Sequence, residues 1–223
     1  MTLSDRQIER YSRQIIVPGF GGAAQERLLA SRLAIIGNSR DIEPALSYFA
    51  GAGVGCLTLV GLGAAAEERL ARIRDLNPDV TLAHAASVPA GIDMLIAFVG
   101  DAESLSALEA AAGRTHSGAI IVVRLDSPAR IAIIPADAGC PRCVGAALLD
   151  PLQARAEHAE VVAMVAAVEA LKLLAGVTDA AVAALIEFAG PAASTRPLPV
   201  NGVVAEARAC GCRSAAQEAA APR

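Results

Sequence analysis

The sequence predicts an α/β fold built on a mostly parallel sheet with helices on both faces. Three observations lead there. Short runs rich in Val, Ile and Leu alternate with helical patterns over much of the chain. Those runs are almost continuously apolar, as strands covered on both faces are. Apolar residues make up 54 % of the 223 positions and charged residues 19 %, which supports a packed core and excludes a disordered chain. One domain is expected over 1–212, with 213–223 as a disordered, alanine-rich tail.

In order, residues 4–31 form a polar, helix-prone arm broken at Pro18-Gly19-Phe20-Gly21-Gly22. Strands are expected at 33–37, 56–60, 80–85, 93–99, 118–123 and 130–134. Helical patterns fill 42–50, 65–76 and 102–112. Asp126-Ser127-Pro128 is a turn signal, so the last two of these strands should run antiparallel. A long helix at about 158–175 ends at Gly176. Pro191 to Pro199 reads as loop, and 203–208 as a late strand.

With no Trp, two Tyr and four Phe, the core must be made of small aliphatic side chains. A net charge of −4 gives no footprint for nucleic acid. No basic amphipathic helix suggests a membrane surface, and the polar start Met-Thr-Leu-Ser-Asp lacks a signal-peptide core, so a cytoplasmic protein is expected.

Leu33-Ala-Ile-Ile-Gly37-Asn38-Ser39-Arg-Asp41-Ile42 runs a strand into the turn where a dinucleotide-type βαβ unit carries G-x-G-x-x-G, which makes the fold Rossmann-like. Gly37 fills the first position. Ser39 and Ile42 replace the second and third glycines, and the branched Ile42 should resist close packing of helix on strand. Asp41 places a carboxylate where the next helix presents free N–H groups, and Ser39 or Asp41 can cap that helix. Gly37, Asn38 and Ser39 therefore read as remnants of a nucleotide loop filled by the protein itself.

Cys140-Pro-Arg-Cys143 and Cys210-Gly-Cys212 form two close pairs, suited to a tetrahedral structural zinc that staples the C-terminal segment to the sheet. The alternative is that Cys210 and Cys212 are tail cysteines and no metal binds. Cys56, at the head of a strand, reads as a buried core thiol. His84, His116 and His158 are scattered, with no metal-like spacing.

Several ordered segments resemble the ThiF/MoeB/HesA family, bacterial relatives of ubiquitin-activating enzymes. They are Glu9-Arg10-Tyr11-Ser12-Arg13-Gln14-Ile15-Ile16, Pro18-Gly19-Phe20-Gly21, Gln25 to Ser31, the strand 33–37 and Phe49-Ala50-Gly51-Ala52-Gly53-Val54-Gly55. Leu76-Asn77-Pro78-Asp79-Val80, Cys140-Pro-Arg-Cys143 and Val168-Glu169-Ala170-Leu171-Lys172-Leu173-Leu174 continue the pattern, so the resemblance spans roughly 8 to 212. It implies a ThiF-type fold with a zinc site, and a homodimer or a heterodimer with a second ThiF-like protein. It also implies Mg-ATP-dependent adenylation of a ubiquitin-like sulfur carrier, with Arg13 reaching into the partner's nucleotide site. Against that role, Arg13 reads as a surface arginine, and Arg10, one turn earlier, can share either role.

The chain departs from the family where the chemistry sits. Gly61 replaces the acid expected for the ribose, the polar phosphate-contacting stretch is absent, and 61–78 contains no lysine. After the fourth strand, Gly100 falls where the family's metal-holding Asp is expected, and Asp101 serves only with a one-residue slip. A carboxylate about 4 Å from a phosphate charge costs roughly 1–4 kcal/mol, before lost donors are counted. ATP and magnesium are therefore not expected as cofactors. Ser194-Thr195-Arg196 lies in a loop where some relatives carry a catalytic cysteine, and has none. Three readings follow. The first is a degenerate member acting as a binding or scaffold subunit, for a carrier protein or peptide, or as the inactive half of an activating dimer. The second is an enzyme or small-ligand protein reusing an opened crevice lined by Asn38, Ser39 and Asp101. The third is residual adenylation with Asp101 in the metal role.

Overall fold

In a computed structural model, residues 3–37, 39–61, 64–111, 118–135, 148, 150–178, 184–189 and 192–197 are described, with backbone alone at 39–41, 64–66, 68–69 and 196–197. Eight strands form one sheet in the order β3-β2-β1-β4-β5-β6-β7-β8. They are β1 Arg32–Ile36, β2 Cys56–Val60, β3 Thr81–Ala85, β4 Met94–Val99, β5 Ala119–Arg124, β6 Ala129–Ile134, β7 Ala184–Ala189 and β8 Ala192–Pro197. The first five are parallel to one another, and β5-β6, β6-β7 and β7-β8 are antiparallel. The helices are α1 Asp5–Ile15, α2 Gly21–Ala30, α3 Ser39–Ala52, α4 Ala64–Arg74, α5 Ala102–Ala111 and α6 Ala159–Leu174. None of them is long and apolar enough to cross a membrane.

Alternation along each strand divides the core in two. Leu33, Ile35, Ile96, Phe98, Ile121 and Val123 meet α2, α3, α4 and α6 on one face. Ala34, Ile36, Leu95, Ala97, Ile120 and Val122 point to the other, where Leu108 and Ala111 of α5 cover them. The helices lie on both faces, as the continuous apolar strands require.

Two expectations change. The stretch read as loop from Pro191 to Pro199 contains β8, so Ser194-Thr195-Arg196 belongs to a strand, paired with β7 from Ala184↔Pro197 to Ala189↔Ala192. Alanine, serine and threonine gave it no apolar run, and it forms by pairing. Its partner β7 was not expected either. The break in the N-terminal arm is shorter than read, because Gly21 and Gly22 open α2. The late strand at 203–208 and the tail lie outside the described residues.

The arm is fastened by a buried phenol. Tyr11 is fully buried on α1, and its ring lies where a Cβ on Gly53 would stand, the nearest atom being Tyr11 Oη at 2.6 Å. Gly53 has φ +84° and closes α3 in a Schellman arrangement, with Gly53 N–H donating to Ala50 O and Val54 N–H to Phe49 O. The phenol donates to Asp79 Oδ2 at 3.1 Å and accepts from Asn77 Nδ2 at 2.9 Å. Asn77 also donates to Ala50 O, and Arg10 pairs with Asp79 at 3.3 Å. Arg10 therefore anchors the arm.

A second lock sits under the antiparallel half. Arg124, 1 % exposed, donates from Nε and Nη2 to both oxygens of Asp126 at 2.9 and 2.8 Å. Its remaining donors reach the carbonyls of Leu148, Asp150 and Pro151. Asp126 also accepts from Gln153 N–H. All five guanidinium donors are thus met inside the protein.

Two predictions follow from these locks. Burial raises the carboxyl pKa of Asp126, but hydrogen bonds from Arg124 and Gln153 and the charge of Arg124 prevail and lower it below 3.8. The stability it contributes is full above pH 3.8 and is lost as pH falls through the depressed value. Asp126→Asn should destabilise by about 3–5 kcal/mol at pH 7, with the gap to wild type closing in urea melts at increasingly acid pH. Burial pushes Tyr11 up from 10.0 to about 12, helped by the negative charge of Asp79. Its contribution is whole below pH 10.0 and lost as pH rises through about 12. Tyr11→Phe should cost about 1–2 kcal/mol at neutral pH and flatten that alkaline limb, as followed by thermal melts.

Candidate functional site

Strand order reverses between β1 and β4, because β1 is followed in space by β2 on one side and β4 on the other. In such sheets the crevice beyond the strand C-termini is where ligands bind. Here Ile36 and Gly37 end β1, Val60 and Gly61 end β2, and Asp101 and Ser104 lead into α5. These residues, with Glu103 and Ala107, line a cavity of about 20 Å³, room for about one water. That is narrower than the opened crevice expected from the shortened segment after β2. A neighbouring cavity of about 60 Å³ shares Val60, Gly61 and Ala107, and runs past Ala86 and Ser87 beyond β3.

Gly37 has φ +152°, and a Cβ there would come within 2.5 Å of Ile42 Cγ2 and 3.0 Å of Phe98 Cβ. Ile42 is fully buried. The branched side chain does not hold helix and strand apart, as expected; its methyl settles into the space that Gly37 leaves. The glycine is used for packing against the helix. Asn38 lies outside the described residues. Ser39 is the first residue of α3, described in backbone only, as is Asp41.

Asp101 is engaged in a local turn. Its Oδ1 accepts from Ser104 N–H at 2.8 Å and from Ser104 Oγ at 2.7 Å, while the N–H groups of Gly100 and Asp101 donate to Ser104 Oγ. This is an N-cap for α5, which begins at Ala102. The sequence signal was available in the spacing Asp101-Ala-Glu-Ser104, a cap residue followed three positions later by a group that bonds back. Glu103 and Ser104 line the cavity without having been foreseen.

Other candidates separate in space. Arg13 is exposed in the last turn of α1. Cys56 is only half-buried, its Sγ 3.9 Å from Thr58 Oγ1, because it heads β2 rather than lying within it. His84 on β3 meets Glu67 of α4 at 3.0 Å, and His158 is the exposed N-cap of α6. Cys140, Cys143, Cys210, Cys212 and His116 lie outside the described residues, and among the described residues no three His, Cys, Asp or Glu gather as metal ligands. A larger hollow of about 440 Å³ opens at the other end of the sheet. Its polar groups serve the fold: Arg27 donates to Ala175 O, Ser31 Oγ to Arg27 O, and Asp93 accepts from Arg32 N–H.

No family model matches the chain. Among curated proteins it is similar to molybdopterin-synthase adenylyltransferase of Salmonella typhimurium, 40 % identical over 80 residues, covering 36 % of this chain and 32 % of that one. It is similar to the SAMP-activating enzyme E1 of Haloferax volcanii, 34 % identical, covering 37 % and 38 %. The vegetative HesA protein of Trichormus variabilis is 38 % identical over 82 residues, covering 37 % and 29 %. The matches thus span about a third of each relative's length. Among solved structures, Escherichia coli MccB with ATP superposes with a TM-score of 0.66 at 14 % identity, covering 87 % of this chain and 73 % of that one. PaaA superposes at 0.60 with 15 % identity, covering 88 % and 75 %. These structural likenesses establish the fold. With the sequence matches they make the chain similar, over about a third of its length, to adenylyltransferases and HesA proteins of the ThiF/MoeB/HesA kind, and similar in fold to MccB.

Proposed function

We propose that this chain is a ThiF-like binding subunit that does not adenylate. It acts as a scaffold for a peptide or ubiquitin-like carrier, or as the inactive half of a dimer that lends Arg13 to an active partner. The observation that carries this reading is Ile42 seated against Gly37. A nucleotide's phosphates need open N–H groups and fixed positive charge at that turn. Here an aliphatic methyl packs against the glycine, and Gly61 stands where an acid would meet a ribose. Asp101, the remaining metal candidate, has one carboxylate oxygen committed to Ser104.

A second reading is favoured by the adjoining cavities that share Val60, Gly61 and Ala107. In that reading the small-walled cleft they form takes a ligand without a triphosphate, which the protein binds or transforms after the cleft widens from its present 20 and 60 Å³. In the third reading, residual adenylation, Asp101 turns from Ser104 to magnesium.

Calorimetric titration with Mg-ATP, and with AMP for comparison, tests all three. No heat with either supports the binding subunit. Heat with AMP alone supports the reused cleft. Micromolar binding of Mg-ATP overturns the first two and directs attention to pyrophosphate exchange.

Cys140, Cys143, Cys210 and Cys212 make up a donor set of four thiolates, which fits zinc. They would hold it as a structural ion. The described chain flanks the first pair: β6 ends at Ile134 before it, and Arg124 binds Leu148 O after it. Elemental analysis of protein purified without chelator should find one zinc per chain. Cys140→Ser or Cys210→Ser should each abolish it and lower the melting temperature, whereas zinc-free protein of unchanged stability would refute the assignment.

A further inference from the structure

The hollow at the N-terminal end of the sheet lies far from the crevice and has a chemistry of its own. Strands β1, β4 and β5 begin there at Arg32, Met94 and Ala119, and helices α2 and α6 end there at Ala30 and Leu174. Its volume of about 440 Å³ falls within the ordinary range for small-ligand pockets, about 300–1,000 Å³. The cavities at the crevice offer only about 20 and 60 Å³.

Two charged groups line this hollow, and the bonds that fasten them to the fold use only one edge of each. Arg27, in the last turn of α2, donates from Nε to Ala175 O at 2.6 Å. Its guanidinium lies against Gly176, where a Cβ would stand 2.8 Å from Nε and 3.3 Å from Nη2. Gly176 has φ +64°, so the turn after α6 and the absent side chain together seat the cation. Among the described residues nothing accepts from Nη1 or Nη2. Asp93 is fastened in the same partial way. Its Oδ2 accepts from Arg32 N–H at 2.7 Å, and among the described residues its Oδ1 has no partner. Nor do Arg27 and Asp93 form an ion pair with each other.

The rest of the lining is largely aliphatic, with Met94 only 2 % exposed beside Ala119, Leu173 and Leu174. A cation and an anion held apart over an apolar floor are satisfied together by a molecule with opposite charges at its two ends. Each contact is then a charge-assisted hydrogen bond to a group already fixed, so little ordering is lost on binding. The C-terminal ends of α2 and α6 add a negative field, which favours an ammonium and disfavours a multiply charged anion.

We propose that this hollow binds a short aliphatic peptide with both termini free. Its carboxylate meets Arg27, its ammonium meets Asp93, and its side chains lie on Met94 and Leu174. The inference stands independently of the three readings above, since it uses the other end of the sheet.

Calorimetric titration with trileucine tests it, against the N-acetylated and the C-amidated forms of the same peptide. Two variants keep the bonds that serve the fold: Arg27→Gln retains a donor for Ala175 O, and Asp93→Asn an acceptor for Arg32 N–H. Circular dichroism checks that both are folded. Wild type should bind free trileucine, and either cap should weaken binding on the order of tenfold. Arg27→Gln should weaken the free peptide by as much and bind the free and amidated forms alike. Asp93→Asn should likewise cease to distinguish the free from the acetylated form. Adhesion of the peptide to an apolar surface elsewhere does not produce that crossed pattern. No binding of trileucine at millimolar concentration overturns the proposal, as does binding indifferent to the caps or to the two substitutions.

Discussion

Arg124 stands where the parallel half of the sheet gives way to the antiparallel half. It ends β5, and its side chain turns under the sheet to hold Asp126 and three carbonyls of the segment returning to α6. A buried guanidinium is tolerable only when every donor is met, and partial satisfaction would be worse than an apolar residue. The requirement shapes its surroundings. Residues 148, 150 and 151 must present their carbonyls inward, and Gln153 must offer its N–H to the same carboxylate. Ser127 N–H then bonds Ala154 O and Ala156 N–H bonds Leu125 O, laying the return segment along the β5-β6 turn. The path into α6 is set by one cation.

The N-terminal arm is tied down differently, by a network centred on the Tyr11 phenol that reaches the end of α3 and the approach to β3. Gln25 adds a bond to Ala52 O. The arm's seat therefore depends on several residues at once: Tyr11, Asn77, Asp79 and Gly53 need one another. Arg13 rides on the same helix without entering that network.

The parallel half was legible because its strands carry what they bury. Apolar runs mark β1, β2, β4 and β5 within a residue or so, and the turn at Asp126-Ser127-Pro128 correctly makes β6 antiparallel. β7 and β8 escaped for the converse reason. Glu187 sits inside β7, stabilised by Arg130 on β6 across the ladder, a pairing that no linear pattern displays. Arg124 was equally hidden, since a charged residue closing a strand ordinarily faces water. At the candidate site the altered glycine turn was visible, but its consequence was inverted: Ile42 fits Gly37 because α3 approaches β1 closely. The cap between Asp101 and Ser104 was readable from spacing and was passed over for a metal role. Asn38 and the four paired cysteines belong to segments outside the described residues, so sequence alone speaks for them.

The aromatic poverty of the chain gives the Tyr11 network an optical meaning. With no tryptophan and two tyrosines, near-ultraviolet absorption and emission come almost entirely from Tyr11 and Tyr48. One is sealed from solvent and hydrogen-bonded to a carboxylate; the other is 56 % exposed. A phenol bonded to a carboxylate emits weakly, so the folded molecule glows mainly from Tyr48. Release of the arm would brighten the protein and make a single native side chain the reporter of its own detachment.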